Sequence, residues 1–314
     1  MTATPPVKSS PELSVIIVAL DGGANLERCI RALQEQASPP AMEIIVAIES
    51  RLHDAQMSER FPDVEFIWPS PGRHTFAELR AAGVRMSSGT IVAITEDQCI
   101  PPRDWCANVV AAHRAQPNSA IGGPVDKQGA DTALNWAIYL RELGVGYMPP
   151  VQDGPSAQLT DCNVTYKRAT LDAIADVWRD AFHEPKVHEA LAARGEKLWL
   201  AAGLLTMQQR SFKLGAALRE RYEFGRLYGA MRVANVALEK RLLMAAASLI
   251  LPLLLVSRVL LTTMRKGRHR AQCVRALPHL LLFASVWSWG ELLGYLTALP
   301  PANWRKDRAA NSAA

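Results

Sequence analysis

Four short stretches, 13–20 (LSVIIVAL), 42–48 (MEIIVAI), 64–68 (VEFIW) and 90–95 (TIVAIT), are apolar almost without interruption. A strand with one wet face alternates apolar and polar residues. A strand with no alternation is covered on both faces, as in a parallel sheet held between layers of helix. The intervening segments supply the helices. In NLERCIRALQEQ, Leu26, Cys29, Ile30 and Leu33 share one helical face, with Asn25 as the candidate cap, and the segments 52–60 and 75–87 read as helical too. Strands alternating with helices at this spacing require right-handed crossovers, which gives an α/β layered domain. Ligands of such sheets bind beyond the carboxyl ends of the strands.

The fourth run ends in two adjacent carboxylates, Glu96 and Asp97, followed by Gln98, Cys99 and a Pro-Pro pair. A strand buried on both faces cannot carry two charges inside, so they belong just past its end. Acids at that edge can hold a divalent cation that neutralises phosphate charge; a solvated acidic turn is the plainer alternative. Farther along, SAIGGPV (119–125) reads as a strand and 132–143 as a helix. DCNVTYKRATL (161–171) reads as a short strand entering a helix, 184–194 as a helix, and KLWLAAGLLTM as apolar again.

After residue 210 the character changes. In 213–236, Leu214, Leu218, Tyr222, Gly225, Gly229 and Val233 share a helical face, with Arg219, Arg221, Arg226 and Arg232 off it, as in an interfacial helix. Two apolar stretches follow, 242–264 and 277–299, each long enough for a bilayer at about 20 residues per span, although Arg258 and Glu291 interrupt them. Buried core helices are the alternative. Trp287, Trp289, Tyr295 and Trp304 favour a membrane interface, and GELLG (290–294) is a small-residue pattern that lets helices approach closely.

Charge divides the chain in the same place. From residue 208 onward there are 17 Lys and Arg against 5 Asp and Glu, or +12, which leaves −7 on residues 1–207. A uniformly basic nucleic-acid binder lacks that division. An acidic globular half joined to a basic, apolar half suits an enzyme on an anionic membrane surface. The five cysteines form no C-x-x-C pair, which argues against zinc and disulfide frameworks and fits a reducing cytoplasm. The first twelve residues have no apolar core of a signal peptide, and ALDGGAN lacks the G-x-G-x-x-G spacing of a dinucleotide site.

The ordered set SVIIVAL, NLERCIRALQEQ, MEIIVA and LRAAGVRMSSGTIVAITEDQCIPPRDW, continued by CNVTYKR, FHEPKVHEALAARGEKL and RYEFGRLYG, resembles the family 2 glycosyltransferases over roughly residues 13–230. The resemblance implies an inverting enzyme with the GT-A nucleotide-sugar fold, a mostly parallel sheet between helices, here followed by a C-terminal helical membrane region. It implies Mg²⁺ or Mn²⁺ at an Asp-x-Asp position occupied here by Glu96-Asp97-Gln98, with Asp97 and Gln98 as metal ligands. Gln98 replaces the second acid and should weaken the metal, because an amide oxygen is a poorer ligand for a hard cation. Glu49 stands where an acid reads the base, and Arg80 matches an Arg able to face a phosphate, with Ala81 in place of the usual Asn. Glu96 and Asp97 complete the donor-binding set.

On the acceptor side, Glu184 falls at the family's Glu-Asp position, with Pro185 replacing one acid, and is expected to be the general base. A helix N-terminus should keep it ionised near neutral pH, and Glu189 is its rival. Asp161 and Asn163 are expected to shape the acceptor pocket. TED (95–97) also matches the base motif of cellulose-synthase-like members but lies too early in strand order. QQRSF (208–212) fits the Gln-x-x-Arg-Trp motif of processive synthases only loosely, which favours transfer of single sugars.

The resulting organisation is a flexible leader at 1–12, the GT-A catalytic domain at 13–210, an amphipathic interfacial helix region at 211–240, two hydrophobic membrane helices within 241–300 and a polar tail at 301–314. The expected partners are a nucleotide-diphosphate sugar donor, a lipid-linked or saccharide acceptor and the membrane, with no nucleic acid. The expected location is the cell inner membrane, with the catalytic domain facing the cytoplasm. A polyprenyl-phosphate sugar synthase, or a catalytically degenerate domain retained for membrane assembly, are the competing readings. For topology, spanning is the expectation from length. The basic loop 265–275 argues instead for a re-entrant or interfacial hairpin, because spanning would place it outside.

Overall fold

The unbroken apolar runs form the centre of an eight-stranded sheet. The computed structural model describes residues 11–19, 22–49, 52, 54–69, 74–233 and 236–301. Most of the leader, Leu20 and Asp21 after the first run, Trp304 and the tail from residue 302 lie outside the described residues. In chain order the first elements are β1 (Leu13–Val18), α1 (Gly23–Gln34), β2 (Met42–Ala47), α2 (Ala55–Arg60), β3 (Val64–Ile67), α3 (Phe76–Met86), β4 (Ile91–Glu96), β5 (Cys99–Ile100) and α4 (Trp105–Ala115). Next come β6 (Ala120–Gly122), β7 (Val125–Lys127), α5 (Ala133–Tyr139) with a π-helical turn at Leu140–Gly144, β8 (Gly154–Ser156), β9 (Asn163–Lys167), α6 (Arg168–Asp172), α7 (Ala175–Trp178), α8 (Glu184–Ala193), β10 (Leu198–Leu200) and β11 (Thr206–Gln208). Four helices close the chain: α9 (Leu214–Arg232), α10 (Leu238–Ser248), α11 (Leu251–Lys266) and α12 (Arg270–Thr297).

The large sheet has the order β3-β2-β1-β4-β9-β6-β10-β8. β1 pairs in parallel with both β2 and β4, whereas β9 runs antiparallel to β4 and β6. Val15 and Ile17 point into one core with Leu26, Ile30 and Leu33 of α1 and Val109 of α4. Ile16 and Val18 point the other way, to Leu79 and Val84 of α3 and Val187 and Leu191 of α8. This is the three-layer arrangement that the absence of alternation predicts. A second sheet, β5-β11-β7, is small. The first helix starts before its expected cap: Gly22, at φ 67°, is the N-cap, and Asn25 accepts a hydrogen bond from Arg28 instead.

By internal contacts the chain forms two compact units. One is Met1–Gln128 with Tyr147–Gln209, the sheet domain; the other is Gly129–Gly146 with Arg210–Ala314. Segment 129–146, placed with the catalytic domain on sequence, thus groups with the helices. Within the helical unit the expected glycine face of α9 meets α12. A Cβ on Gly225 or Gly229 would lie 2.3 or 2.4 Å from the carbonyl oxygens of Trp287 and Glu291, and one on Gly290 or Gly294 would lie 2.3 or 2.4 Å from those of Tyr222 and Arg226. Two small-residue patterns therefore interlock backbone to backbone. Glu291, which interrupts the apolar run, is buried; it accepts from Trp287 Nε1 at 2.8 Å and from the Tyr295 hydroxyl.

The stretch 242–264 is not one straight helix, because α10 and α11 bend by 50° at their junction. Among the described residues, α12 alone is long and apolar enough to cross a membrane by itself; α10 and α11 pass that test as a bent pair.

The glycine contacts make a stability prediction. Gly290→Ala places its Cβ 2.3 Å from Tyr222 O and must push α9 and α12 apart. It should destabilise the helical unit by about 1–3 kcal/mol, as overpacking does. Gly215→Ala, with nothing within 4 Å, should be neutral or slightly stabilising. Thermal melts of the two variants in one detergent compare them directly; equal midpoints would mean that the close crossing is absent.

Candidate active site

An antiparallel strand pair builds the site. Thr95 of β4 stands opposite Asn163 of β9. Residues beyond the end of β4 therefore meet residues just before the start of β9, and Thr95 Oγ1 donates to Cys162 O at 3.0 Å. Glu96 and Asp161, far apart in sequence, are brought to one place by this reversal.

Arg80 enters between them from α3. That helix begins with a capping box between Thr75 and Glu78, and its buried side includes Ala77, Leu79 and Arg80. The resemblance matches Arg80 to a phosphate contact; in the structure its guanidinium meets three carboxylates. Nη2 donates to Asp161 Oδ2 at 2.8 Å and lies 3.6 Å from Glu96 Oε1, while Nη1 is 3.5 Å from Glu184 Oε2. The reason is depth, since a side chain only 7% exposed needs local counter-charges.

Glu184 is the first residue of α8, with Pro185 in the first turn as expected. Its ionisation differs from the expectation. Burial, reinforced by the Asp161 charge and opposed by Arg80, pushes its carboxyl up to about 8. Desolvation thus outweighs the helix N-terminus. Glu184 Oε1 is buried with no hydrogen-bond partner among the described residues. Beside it opens a cavity of about 250 Å³ lined by Tyr147, Gln158, Thr160, Asp161, Glu184 and His188, among others. Glu189, the rival base, is exposed on the other side of α8.

Asn163 does not shape this pocket. It is 1% exposed, donates to Pro124 O at 3.0 Å and Leu204 O at 2.6 Å, and accepts from Trp105 Nε1 at 3.2 Å. Its amide ties the sheet to two loops and to α4. His188, by contrast, lines the cavity. Its Nε2 lies 3.0 Å from the Tyr166 hydroxyl, and burial pushes it down to about 4, so it is neutral at physiological pH. No motif in the sequence points to Tyr147.

At the carboxyl edge of β4, Asp97 is fully buried. Its Oδ2 accepts the Gly22 N–H at 2.7 Å, and its own N–H donates to Val18 O at 3.2 Å. The turn before α1 is thereby fastened to the end of β4, and Gly22 and Gly23, at φ 67° and 55°, need to be glycine there. Gln98 is buried, and its carbonyl accepts from Gln209 N at 2.8 Å. In the small sheet, Gln208 faces Cys99, so the QQ of QQRSF lies against the EDQ turn. Glu49 is buried past the end of β2, near a small cleft lined by Gly23, Ile48, Leu52 and Phe66. All five cysteines are buried free thiols.

The described residues contain no group of three or more His, Cys, Asp or Glu side chains able to hold a metal by themselves. With Glu96 drawn to Arg80, Asp97 and Gln98 are the oxygens left at this turn for a Mg²⁺-type cation that takes most of its ligands from water and a diphosphate. They do not make a complete protein cage. Asp97 and Gln98 would hold such an ion, which would supply charge neutralisation for a leaving diphosphate.

Glycosyltransferase AglE of Haloferax volcanii is 24% identical over 122 residues, which is 37% of this chain and 40% of that protein. The chain therefore spans well under half of the length of this curated relative. Two solved structures overlay on most of the chain. One is the mannosyltransferase PcManGT from Pyrobaculum calidifontis in complex with GDP-Man and Mn²⁺, at 17% identity, with 97% of this chain and 80% of that one covered and a TM-score of 0.47. The other is S. aureus TarS 1-349, at 11% identity, with 94% and 92% covered and a TM-score of 0.49. The family model described as Glycosyl transferase family 2 matches residues 14–174, just over half of the chain, from the second residue of β1 to beyond β9. The chain belongs to glycosyl transferase family 2.

Proposed function

We propose that this chain is an inverting glycosyltransferase that moves a single sugar from a nucleotide-diphosphate donor to a hydroxyl of a lipid-linked or membrane-proximal acceptor. The observation that carries the reading is Glu184. It is a buried carboxyl pushed up to about 8, with one oxygen that has no hydrogen-bond partner among the described residues, on the wall of a cavity and joined through Arg80 to the Glu96 turn. A base whose pKa lies near the working pH combines proton affinity with a usable ionised fraction.

In the proposed step the acceptor hydroxyl lies in the cavity beside Tyr147, Asp161 and His188. Its oxygen forms the bond to the anomeric carbon from the face opposite the leaving group, and its proton passes to Glu184. The bond to the nucleotide diphosphate breaks, and the electron pair leaves with the phosphate oxygen. Asp97 and Gln98 are assigned to the diphosphate and its cation, and Glu49 to the base. Arg80 holds Glu96, Asp161 and Glu184 in mutual register. The inner membrane, facing the cytoplasm where nucleotide sugars reside, is the proposed location. A polyprenyl-phosphate synthase would use the same donor site with a phosphate as acceptor. That acceptor needs no strong base, so retained activity in Glu184→Gln would favour it.

Three measurements test the assignment. Glu184→Gln should lower turnover by about 10²–10⁴-fold with donor affinity nearly unchanged, while Glu189→Gln does little. Loss of donor binding in Glu184→Gln would move that acid to the donor site.

The pH dependence has opposite signs for rate and stability. The value of kcat/KM, which reports the free enzyme, should rise through a midpoint near 8 as Glu184 ionises. Stability should fall with rising pH between about 4.5 and about 8, because in that window the folded chain holds a proton that the unfolded chain has released. Glu184→Gln should flatten both profiles, and a wild-type rate that is flat through pH 8 would remove Glu184 from the base role.

Asp97→Asn keeps an acceptor for the Gly22 N–H and removes only the charge. It should weaken nucleotide-sugar binding by about 10–100-fold, the worth of a charged contact. Gln98→Asp should lower the Mn²⁺ concentration needed for donor binding. Calorimetric titration with a panel of nucleotide sugars, with and without Mn²⁺, reads both; unchanged affinity in Asp97→Asn would reduce the motif to a structural turn.

A further inference from the structure

We infer that the helical unit lies in one leaflet of an anionic bilayer as a same-side hairpin, with the basic turn between α11 and α12 on the face that carries the sheet domain. The constraint is independent of the reaction and lies in segment 129–146. This segment leaves the sheet domain after Gln128 and rejoins it at Tyr147. Crossing a bilayer of about 30 Å and returning takes about 40 helical residues, more than twice what the segment has. It therefore stays on the side of the domain to which both its ends are joined.

That segment holds the α11–α12 turn. The Trp136 and His269 rings lie 4.6 Å apart, and Arg275 Nη2 donates to Asp131 Oδ1 at 2.6 Å and to Asp131 O at 3.1 Å. A hairpin spanning the membrane twice would put this turn on the far side, away from Asp131 and Trp136. The middle of α12 is incompatible with spanning as well, because the Arg141 guanidinium, from the same segment, stacks 4.7 Å over the Trp287 ring. At the other end, Arg226 donates to Leu299 O at 3.2 Å and Arg232 to the Tyr295 hydroxyl at 3.1 Å. Polar partners thus stand at the start, middle and end of α12. Neither α10 nor α11 reaches through on its own, since helices of 11 and 16 residues are about 16 and 24 Å long.

The surface left over matches the bilayer chemically. Leu243, Leu249, Leu253 and Leu254 are 57–70% exposed on the bent pair, an apolar face of the kind that buries in the acyl boundary. Arg265, Lys266, Arg268 and Arg270 follow at the turn, where anionic headgroups would meet them. A second copy of the chain would supply leucines to that face but would set these like charges against each other.

The full chain, in native membranes and in vesicles, tests this. Single cysteines at Arg268→Cys and at the exposed Glu59→Cys of the sheet domain, on a background freed of the five native thiols, are probed with a membrane-impermeant maleimide. Both should label from the same face of sealed inner-membrane vesicles, and labelling of Arg268→Cys from the opposite face overturns the inference. Trypsin cleavage of the unmodified chain between Arg265 and Arg275 in right-side-out and inside-out vesicles gives the same two outcomes if the cysteine-free background fails to fold. Purified chain should float with phosphatidylcholine vesicles containing phosphatidylglycerol. Arg265→Gln, Lys266→Gln and Arg268→Gln together should weaken that partitioning by about a hundredfold, with little effect on pure phosphatidylcholine. A chain that stays with the aqueous phase, or a soluble dimer covering its leucines with a second copy, overturns the inference equally.

Discussion

Arg80 places one buried cation among Glu96, Asp161 and Glu184. Three ionised carboxylates around one guanidinium would leave two uncompensated charges in a poorly solvated place, and a desolvated charge is tolerated only when paired. Burial and the Asp161 charge push the Glu184 carboxyl up to about 8, which lessens that excess without cancelling it. Asp161 keeps the shortest bond to Arg80 and the most water. His188, held neutral by burial, adds no competing positive charge to the cavity wall.

Reaching that depth depends on the sheet. α3 can lie close enough to β1 only because residue 83 is glycine; a Cβ there would sit 2.4 Å from Ile16 Cγ2. A bulkier residue would lift the helix and withdraw the guanidinium from the strand ends. The antiparallel β9 does the complementary work, since in an all-parallel sheet its first residues would lie at the far edge from Glu96. One small residue and one strand direction thus set the distance between the two halves of the proposed site.

What could be read from the sequence follows from how local the signal is. The four apolar runs, the α1 face of Leu26, Ile30 and Leu33, the start of α8 at Glu184 and the close packing at Gly290 and Gly294 are encoded by neighbouring residues, and the structure places them as expected. The environment of Arg80 was not legible, because its partners come from three separate segments and no spacing rule names them. Asn163 misled for the same reason: an Asn at a strand start resembles a pocket residue until Trp105, Pro124 and Leu204 are seen to occupy its amide. Position alone names Glu184 as a candidate, whereas its raised carboxyl is not legible, because helix-terminus stabilisation is visible in sequence and burial is not. The bend between α10 and α11 was hidden in a stretch whose hydropathy is continuous.

The chain connection between the two units bears on the acceptor. Segment 129–146 packs among the helices through Trp136, Arg141 and Glu142, with Glu142 accepting from Arg210 at 3.2 Å and from Arg221 at 2.6 Å. The very next residue, Tyr147, lines the cavity beside Glu184. The cavity itself, with Tyr147, Asp161 and Glu184 on its wall, lies wholly within the sheet domain, and the chain passes from the helical unit into that wall at residue 147.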